Sequence, residues 1–268
     1  MGDLFLRTAG AEEEPEGGCP HGLSAKGEAA LRGVSRLNAI DITPLPPASS
    51  LPPPTFRPGH YSWHEGRARY VAFLAKTVAS YTRGPVLDVG CGMGYFLEEL
   101  AEIGVAAAGF DISKDAVEHA SRRSGDGVIP HDATTPWPYP DGSFGAVTMF
   151  DVIEHLPGYN LALSEAHRVL ASSGHIFVVT VNWSSVLRLL FGSRWGGLQD
   201  PEHVVYFDRK LLATAMQNQG FEIAEFHTVF NLSVAGESAD FLLPFRRPGI
   251  LIFLPELGDS IYAVGQKP

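Results

Sequence analysis

Residues 86–94, Val-Leu-Asp-Val-Gly-Cys-Gly-Met-Gly, constrain the fold of this chain more than any other segment. An apolar run through Val89 breaks into alternating glycines, Gly90, Gly92 and Gly94, and a helix-forming stretch follows over 95–101. Strand, glycine turn and helix in that order form the front of a nucleotide-binding βαβ unit, where the missing Cβ atoms let backbone approach a ligand. A second apolar run, 105–110, ends in Asp111, about 20 residues past the glycines, where an acid can accept ribose hydroxyls. The G-x-G-x-G spacing differs from the dinucleotide G-x-G-x-x-G. Asp88, two positions ahead of the first glycine, adds an anion that disfavours a nearby pyrophosphate. The loop therefore points to a nucleoside with cationic groups, with a nicotinamide-dependent dehydrogenase as the alternative.

Four later blocks extend the pattern: Gly-Phe-Asp-Ile-Ser at 109–113, His-Asp-Ala at 131–133, 144–157 around Asp151-Val-Ile-Glu-His155, and 167–177. In this order and spacing the chain resembles the class I S-adenosylmethionine (SAM)-dependent methyltransferases over about 61–227 plus a closing strand. Within them it is most similar to the small-molecule branch that includes ubiquinone-pathway O-methyltransferases and bacterial natural-product enzymes. The resemblance implies an α/β fold: a Rossmann-like, doubly wound, seven-stranded, mostly parallel sheet with an antiparallel last strand, plus helical insertions. It implies SAM as cofactor and S-adenosylhomocysteine as product. Asp88, Gly90, Cys91, Gly92, Asp111, Ile112, Asp132, Ala133 and Phe150 are the expected contacts, with Asp132 on the adenine amino group.

The acceptor chemistry is expected at 151–155, because open parallel sheets bind ligands outside the carboxyl ends of their strands. If that segment is helical, Asp151, Glu154 and His155 share one face at i, i+3 and i+4. Methyl transfer is an in-line displacement that leaves a hydroxyl acceptor with a proton to lose. His155 and His203 are the expected bases, since imidazole titrates near neutrality, with Glu154 and Asp151 beside them. Tyr61, Trp63, His64, Trp183 and Tyr206 are expected to line the acceptor pocket. No metal is expected. The competing arrangement is a divalent cation held by Asp151, Glu154, His155 and His203, as in some ubiquinone-pathway and RNA-end relatives. N- or C-methylation also stays open, as does a SAM-binding module without catalysis.

Composition narrows the setting. The 268 residues are 45% hydrophobic with a net charge of −10. That charge argues against a nucleic-acid substrate, whose partners usually present a basic face. Two cysteines, Cys19 and Cys91, provide no disulfide framework, and a reducing cytoplasm is expected. No apolar run is long enough for a transmembrane helix. Seven prolines within 44–58 favour extended backbone, so 1–58 reads as an irregular arm and 59–268 as the catalytic domain. Cap insertions are expected at 182–207, opening with an amphipathic helix over 182–191, and at 230–257; the fifth strand is expected over 175–181, and Ser113 and Asp208 are expected to be helix N-caps. The apolar segment 241–254 is a candidate substrate lid, dimer surface or peripheral membrane contact, and the protein is expected to be a monomer or homodimer with a small-molecule acceptor as partner.

Overall fold

The computed structural model describes residues 68–229, 253–254 and 257–268. The arm at 1–58, the substrate candidates Tyr61, Trp63 and His64, and most of the insertion at 230–257 lie outside the described residues. Among the described residues no helix is long and apolar enough to cross a membrane.

The chain alternates strand and helix: α1 (Ala68–Tyr81), β1 (Val86–Val89), α2 (Tyr95–Glu102), β2 (Ala107–Asp111), α3 (Lys114–Ser124), β3 (Val128–Pro130) and β4 (Phe144–Phe150). A 3₁₀ turn, Ile153–His155, leads to α4 (Tyr159–Val169), β5 (Leu170–Val181), α5 (Val186–Phe191), α6 (Arg209–Asn218), β6 (Glu222–Val229), β7 (Phe253–Leu254) and β8 (Ser260–Gln266). The sheet order is β3-β2-β1-β4-β5-β8-β6-β7. Strands β1 to β5 pair in parallel, and β8 enters antiparallel between β5 and β6. This is the expected seven-stranded topology with a two-residue strand, β7, added at its edge.

Alternation along the strands sorts the core into two layers, because successive side chains leave a strand on opposite faces. Leu87, Val89, Val147, Met149, Ile176 and Val178 pack on one face with Leu163, Ala166 and Val169 of α4 and Leu212 and Met216 of α6. Val86, Ala146, Phe177 and Val179 pack on the other with Val71, Leu74, Ala75 and Val78 of α1. Those four positions, at i, i+3, i+4 and i+7, are the buried stripe of an amphipathic helix. Burial of each Val or Leu stabilises by about 1.5–3 kcal/mol.

The capping residues act as the sequence suggests. The Ser113 hydroxyl accepts from the Ala116 amide at 3.2 Å, and Asp208 Oδ1 accepts from Leu211 N at 2.7 Å. Arg168 ties the proline-rich loop to α4: it donates to Glu165 and to the Trp137 and Tyr139 carbonyls, and holds the Glu165 carboxyl below its ordinary range.

Two local expectations are corrected. Residues 182–191 do not form one helix. Asn182 forms a bridge with Phe207 and its buried amide donates to Gly258 O at 2.7 Å, so α5 starts only after the Ser185 cap. Strand β5 begins at Leu170 rather than at His175, because Leu170 pairs with Phe144 ahead of a register shift.

Candidate active site

Parallel strands deliver their carboxyl ends to one edge, and the donor-side candidates among the described residues lie in the loops that leave it. The loop after β1 is a cradle with no room for side chains. Gly90, Gly92 and Gly94 have φ of 67°, 51° and 80°, which favour glycine. A Cβ on Gly90 would lie 2.5 Å from a Val152 methyl, and one on Gly94 would lie 2.8 Å from Ala120 Cα. Gly94 is the N-cap of α2 and supplies no side-chain cap, so the amino end of that helix suits a ligand carboxylate.

Asp111 ends β2. Its Oδ2 accepts from Gly92 N and its Oδ1 from Ser113 N, both at 2.9 Å. These two amides fix the orientation of the buried carboxylate at the end of β2. Asp88 is buried and accepts from the Thr148 hydroxyl at 2.7 Å. Burial pushes its carboxyl up to about 7, Thr148 opposes the shift, and the charge of Asp111 adds to it. Two acids so close repel a pyrophosphate and attract a cation. The donor set therefore fits SAM, with its sulfonium, ammonium, carboxylate and ribose.

The other predicted contacts divide between exposed positions and positions engaged in the protein's own packing. Ile112 is exposed beside Asp111, as an apolar face for adenine would be. Asp132 Oδ1 accepts from both the amide and the hydroxyl of Thr134. Ala133 packs in the core, and its carbonyl accepts from Trp137 Nε1. Phe150 meets Phe96 edge-on at 5.0 Å. The Cys91 side chain packs among Leu97, Val117 and Val128, so it is a core residue and only its backbone belongs to the loop.

Asp88 carries a pH prediction. Its folded pKa lies above the ordinary 3.8, so the folded state holds its proton longer than the unfolded chain does. Stability from this group is complete at low pH and declines as pH rises from about 4 to about 7. Asp88→Asn is expected to raise the melting temperature of the ligand-free protein at pH 8, with the gain vanishing toward pH 4. Parallel melting curves for the two proteins across that range would sink the assignment.

The segments expected to serve the acceptor, 151–155 and 182–207, meet beyond the end of β4. Asp151 has φ 54° and its amide donates to Val179 O. A left-handed non-glycine residue costs about 1–2 kcal/mol, and such strain gathers at functional turns. The turn places Glu154 fully inside the protein, with the Thr180 hydroxyl and the Val181 backbone near enough to ease its charge but outside good hydrogen-bond geometry. Burial, then the charge of Asp151, push the Glu154 carboxyl up to about 8. The Glu154 carbonyl accepts from Val204 N and Val205 N, which draws the distant segment 203–206 over the turn.

That contact brings the two predicted histidines together, with ring centroids 4.8 Å apart. His155 Nδ1 lies 3.0 Å from Glu202 O, and His203 Nδ1 lies 2.8 Å from Gly197 O. Carbonyls only accept, so each Nδ1 carries the hydrogen and each neutral ring keeps an Nε2 lone pair. Ligand atoms of Glu154, His155 and His203 all lie within 4.8 Å of one another. Asp151 is absent from this group: the segment forms a 3₁₀ turn rather than the α-helix that would have aligned i, i+3 and i+4. Tyr206 continues the aromatic array, 6.3 Å from His203 and 5.0 Å from Trp183, whose other neighbour is the Arg188 guanidinium at 4.1 Å.

Sequence reasoning overlooked Thr148, Val152, Trp195 and Gly197. Only Thr148 had a signal, as a hydroxyl inside the apolar strand Phe-Gly-Ala-Val-Thr-Met-Phe.

A family model described as a methyltransferase domain matches residues 62–225. A Mycolicibacterium smegmatis protein named probable S-adenosylmethionine-dependent methyltransferase is 31% identical over 146 residues, 54% of this chain and 55% of that protein. A Brucella ovis ubiquinone biosynthesis O-methyltransferase is 31% identical over 143 residues, 47% of this chain and 56% of that enzyme. The chain thus spans about half the length of the curated relatives it matches. Among solved structures, a Thermotoga maritima SAM-dependent methyltransferase, described as a possible histamine N-methyltransferase, aligns with a TM-score of 0.59 at 23% identity. It covers 79% of this chain and 95% of its own. The [4+2]-cyclase SpnF has the same fold, with a TM-score of 0.54 at 20% identity, so the fold by itself does not specify the reaction. The extent of the family match, together with a glycine cradle and acid pair that suit SAM, places this chain among the class I SAM-dependent methyltransferases.

Proposed function

We propose that the protein transfers the methyl group of SAM to an oxygen of a small, ring-bearing acceptor, and that the imidazoles of His155 and His203 take the acceptor's proton. Bound SAM supplies an electrophilic methyl on a sulfonium. The residues of the chain do the rest. Asp88, Asp111 and the loop glycines orient the donor; Trp183 and Tyr206 offer faces for an aromatic acceptor; the histidines receive a proton at Nε2. The observation that carries this reading is the pairing of two imidazoles whose Nδ1 atoms are both occupied by carbonyls. General-base assistance of this kind contributes about 10²–10⁴-fold. The likeness to ubiquinone biosynthesis O-methyltransferases favours oxygen over nitrogen, whereas the description of the Thermotoga maritima neighbour favours nitrogen. The acidic charge argues against nucleic acid as acceptor, and the sparse cysteines favour a cytoplasmic setting.

A second reading has a specific observation behind it. The buried Glu154 carboxyl and one ring nitrogen each of His155 and His203 lie within 4.8 Å of one another, a ligand set that suits a divalent cation, and ligating imidazoles characteristically donate their other N–H to a carbonyl. A cation there would acidify a bound hydroxyl. Because ligands must be deprotonated and the Glu154 carboxyl is raised to about 8, cation affinity would rise as pH passes that value.

Calorimetry and transfer of labelled methyl decide among these. SAM and S-adenosylhomocysteine are expected to bind and NAD is not; NAD binding alone would refute the cofactor assignment. In a screen of catechols, phenols and aryl amines, catechols or phenols are expected to take the label. Labelling confined to amines would refute O-methylation. Turnover that survives EDTA supports the imidazole base, whereas loss on EDTA and recovery with Mg²⁺ selects the cation.

A further inference from the structure

We propose that Gly197 and Trp195, outside the acceptor site itself, are positioning residues that hold His203 in the tautomer whose Nε2 is an acceptor. The inference rests on the reading of His203 as a proton-accepting or ligating group.

The loop between α5 and the His203 segment is two successive 3₁₀ turns, Gly192–Arg194 and Gly196–Leu198, joined at Trp195 in extended backbone. Trp195 is 5% exposed, unusual for a tryptophan in a surface connection. Its amide donates to Gly192 O and its carbonyl accepts from Leu198 N, so the indole is held at both ends of its own residue. The ring lies flat against the place where Gly197 lacks a side chain: a Cβ there would meet three indole carbons at 2.3, 2.5 and 2.6 Å. Gly197 sits within a 3₁₀ turn and is not among the glycines with positive φ. Alanine is therefore allowed by the backbone, and the three atoms nearest the place its Cβ would take are all indole carbons.

The position of Gly197 matters because its carbonyl meets His203 Nδ1 at 2.8 Å. Asp200 is a competitor for the ring among the described residues. Asp200 Oδ2 lies 3.9 Å from His203 Nε2, and an approach to bonding distance would draw the hydrogen to Nε2 and remove the lone pair. Asp200 Oδ1 accepts from Glu202 N at 2.9 Å, which holds that side chain within its own turn. The balance between Gly197 O and Asp200 sets the tautomer, and the Trp195 ring packed on Gly197 keeps the carbonyl on the winning side. His155 is held in the same sense by Glu202 O at 3.0 Å, so the loop aligns both imidazoles.

The test reads the tautomer directly. In two-bond ¹H–¹⁵N spectra of the full chain above the imidazole titration range, His203 is expected to carry its hydrogen on Nδ1. In Gly197→Ala, His203 is expected to populate the Nε2–H form. Turnover of the best acceptor is expected to fall about 10- to 100-fold, the usual effect of losing a partner that orients such a ligand, with S-adenosylhomocysteine affinity unchanged. If Gly197→Ala fails to bind S-adenosylhomocysteine, Trp195→Phe, which keeps the glycine and loosens the ring, is expected to show the same mixed tautomers. Nε2–H in the unaltered protein, or an unaltered Nδ1–H in every variant that binds S-adenosylhomocysteine, overturns the proposal. If the tautomer shifts as expected while His203→Ala retains full turnover and unchanged metal dependence, the positioning stands and the role of His203 in the reaction falls.

Discussion

His155→Ala and His203→Ala are each expected to lower methyl transfer by about 10²–10⁴-fold while leaving S-adenosylhomocysteine binding intact. The two effects should not add. The rings lie 4.8 Å apart, and residues that act as a unit lose most of their function when either is removed. A double variant close to the worse single one would support a shared proton-accepting unit. A double variant at the product of the two singles would mean independent roles, with one histidine taking the proton and the other positioning the acceptor. Glu154→Gln sharpens the comparison. It preserves shape and removes the ionisable carboxyl that a cation would need, so the imidazole mechanism should lose little and a cation-dependent one should collapse. If neither histidine variant slows transfer, the proposed chemistry is wrong, and proximity and orientation of the acceptor must account for the rate.

Gly94→Ala is expected to abolish measurable SAM binding and to lower the melting temperature by about 4–20 °C. Two penalties combine. The backbone φ of 80° is left-handed, which costs a Cβ-bearing residue about 1–2 kcal/mol. The new methyl would also lie 2.8 Å from both Ala120 Cα and Ala120 Cβ. A backbone neighbour cannot swing away, so overpacking adds about 1–3 kcal/mol. At about 2–4 °C per kcal/mol for a domain of this size the sum gives the stated range. Gly104→Ala is the control. Its φ is 76°, but nothing lies within 4 Å of its would-be Cβ, so only the backbone penalty applies. Equal melting temperatures for the two variants would show that the approach of α3 to the loop is unimportant.

Much of the donor side was legible because it is local. A strand, a glycine turn and a helix need only about 17 consecutive residues to declare themselves, and the acid at the end of β2 follows from strand length and loop length. The caps at Ser113 and Asp208 were readable for the same reason. Errors appeared where a distant partner outvoted the local pattern. Residues 182–185 have helical periodicity, yet Asn182 bonds Gly258 and pairs with Phe207, contacts 76 and 25 positions away that no window reveals. At 151–155 the spacing suggested one helical face, but Asp151 turned left-handed and the segment tightened to a 3₁₀ turn.

The glycine cradle and the acid pair were legible in the sequence alone, through the apolar runs that precede them and the need for backbone without Cβ atoms, while the sheet topology came with the resemblance of the motif blocks to a known family. What only the tertiary structure decided is the acceptor side. Glu154 and His203 are 49 residues apart in the chain, and the Glu154 carbonyl that accepts from Val204 and Val205 is what joins them. Which ring nitrogen of each histidine faces the reaction depends on single carbonyls from Gly197 and Glu202. A tautomer is determined by a hydrogen bond, and a hydrogen bond between distant loops exists only once the chain has folded.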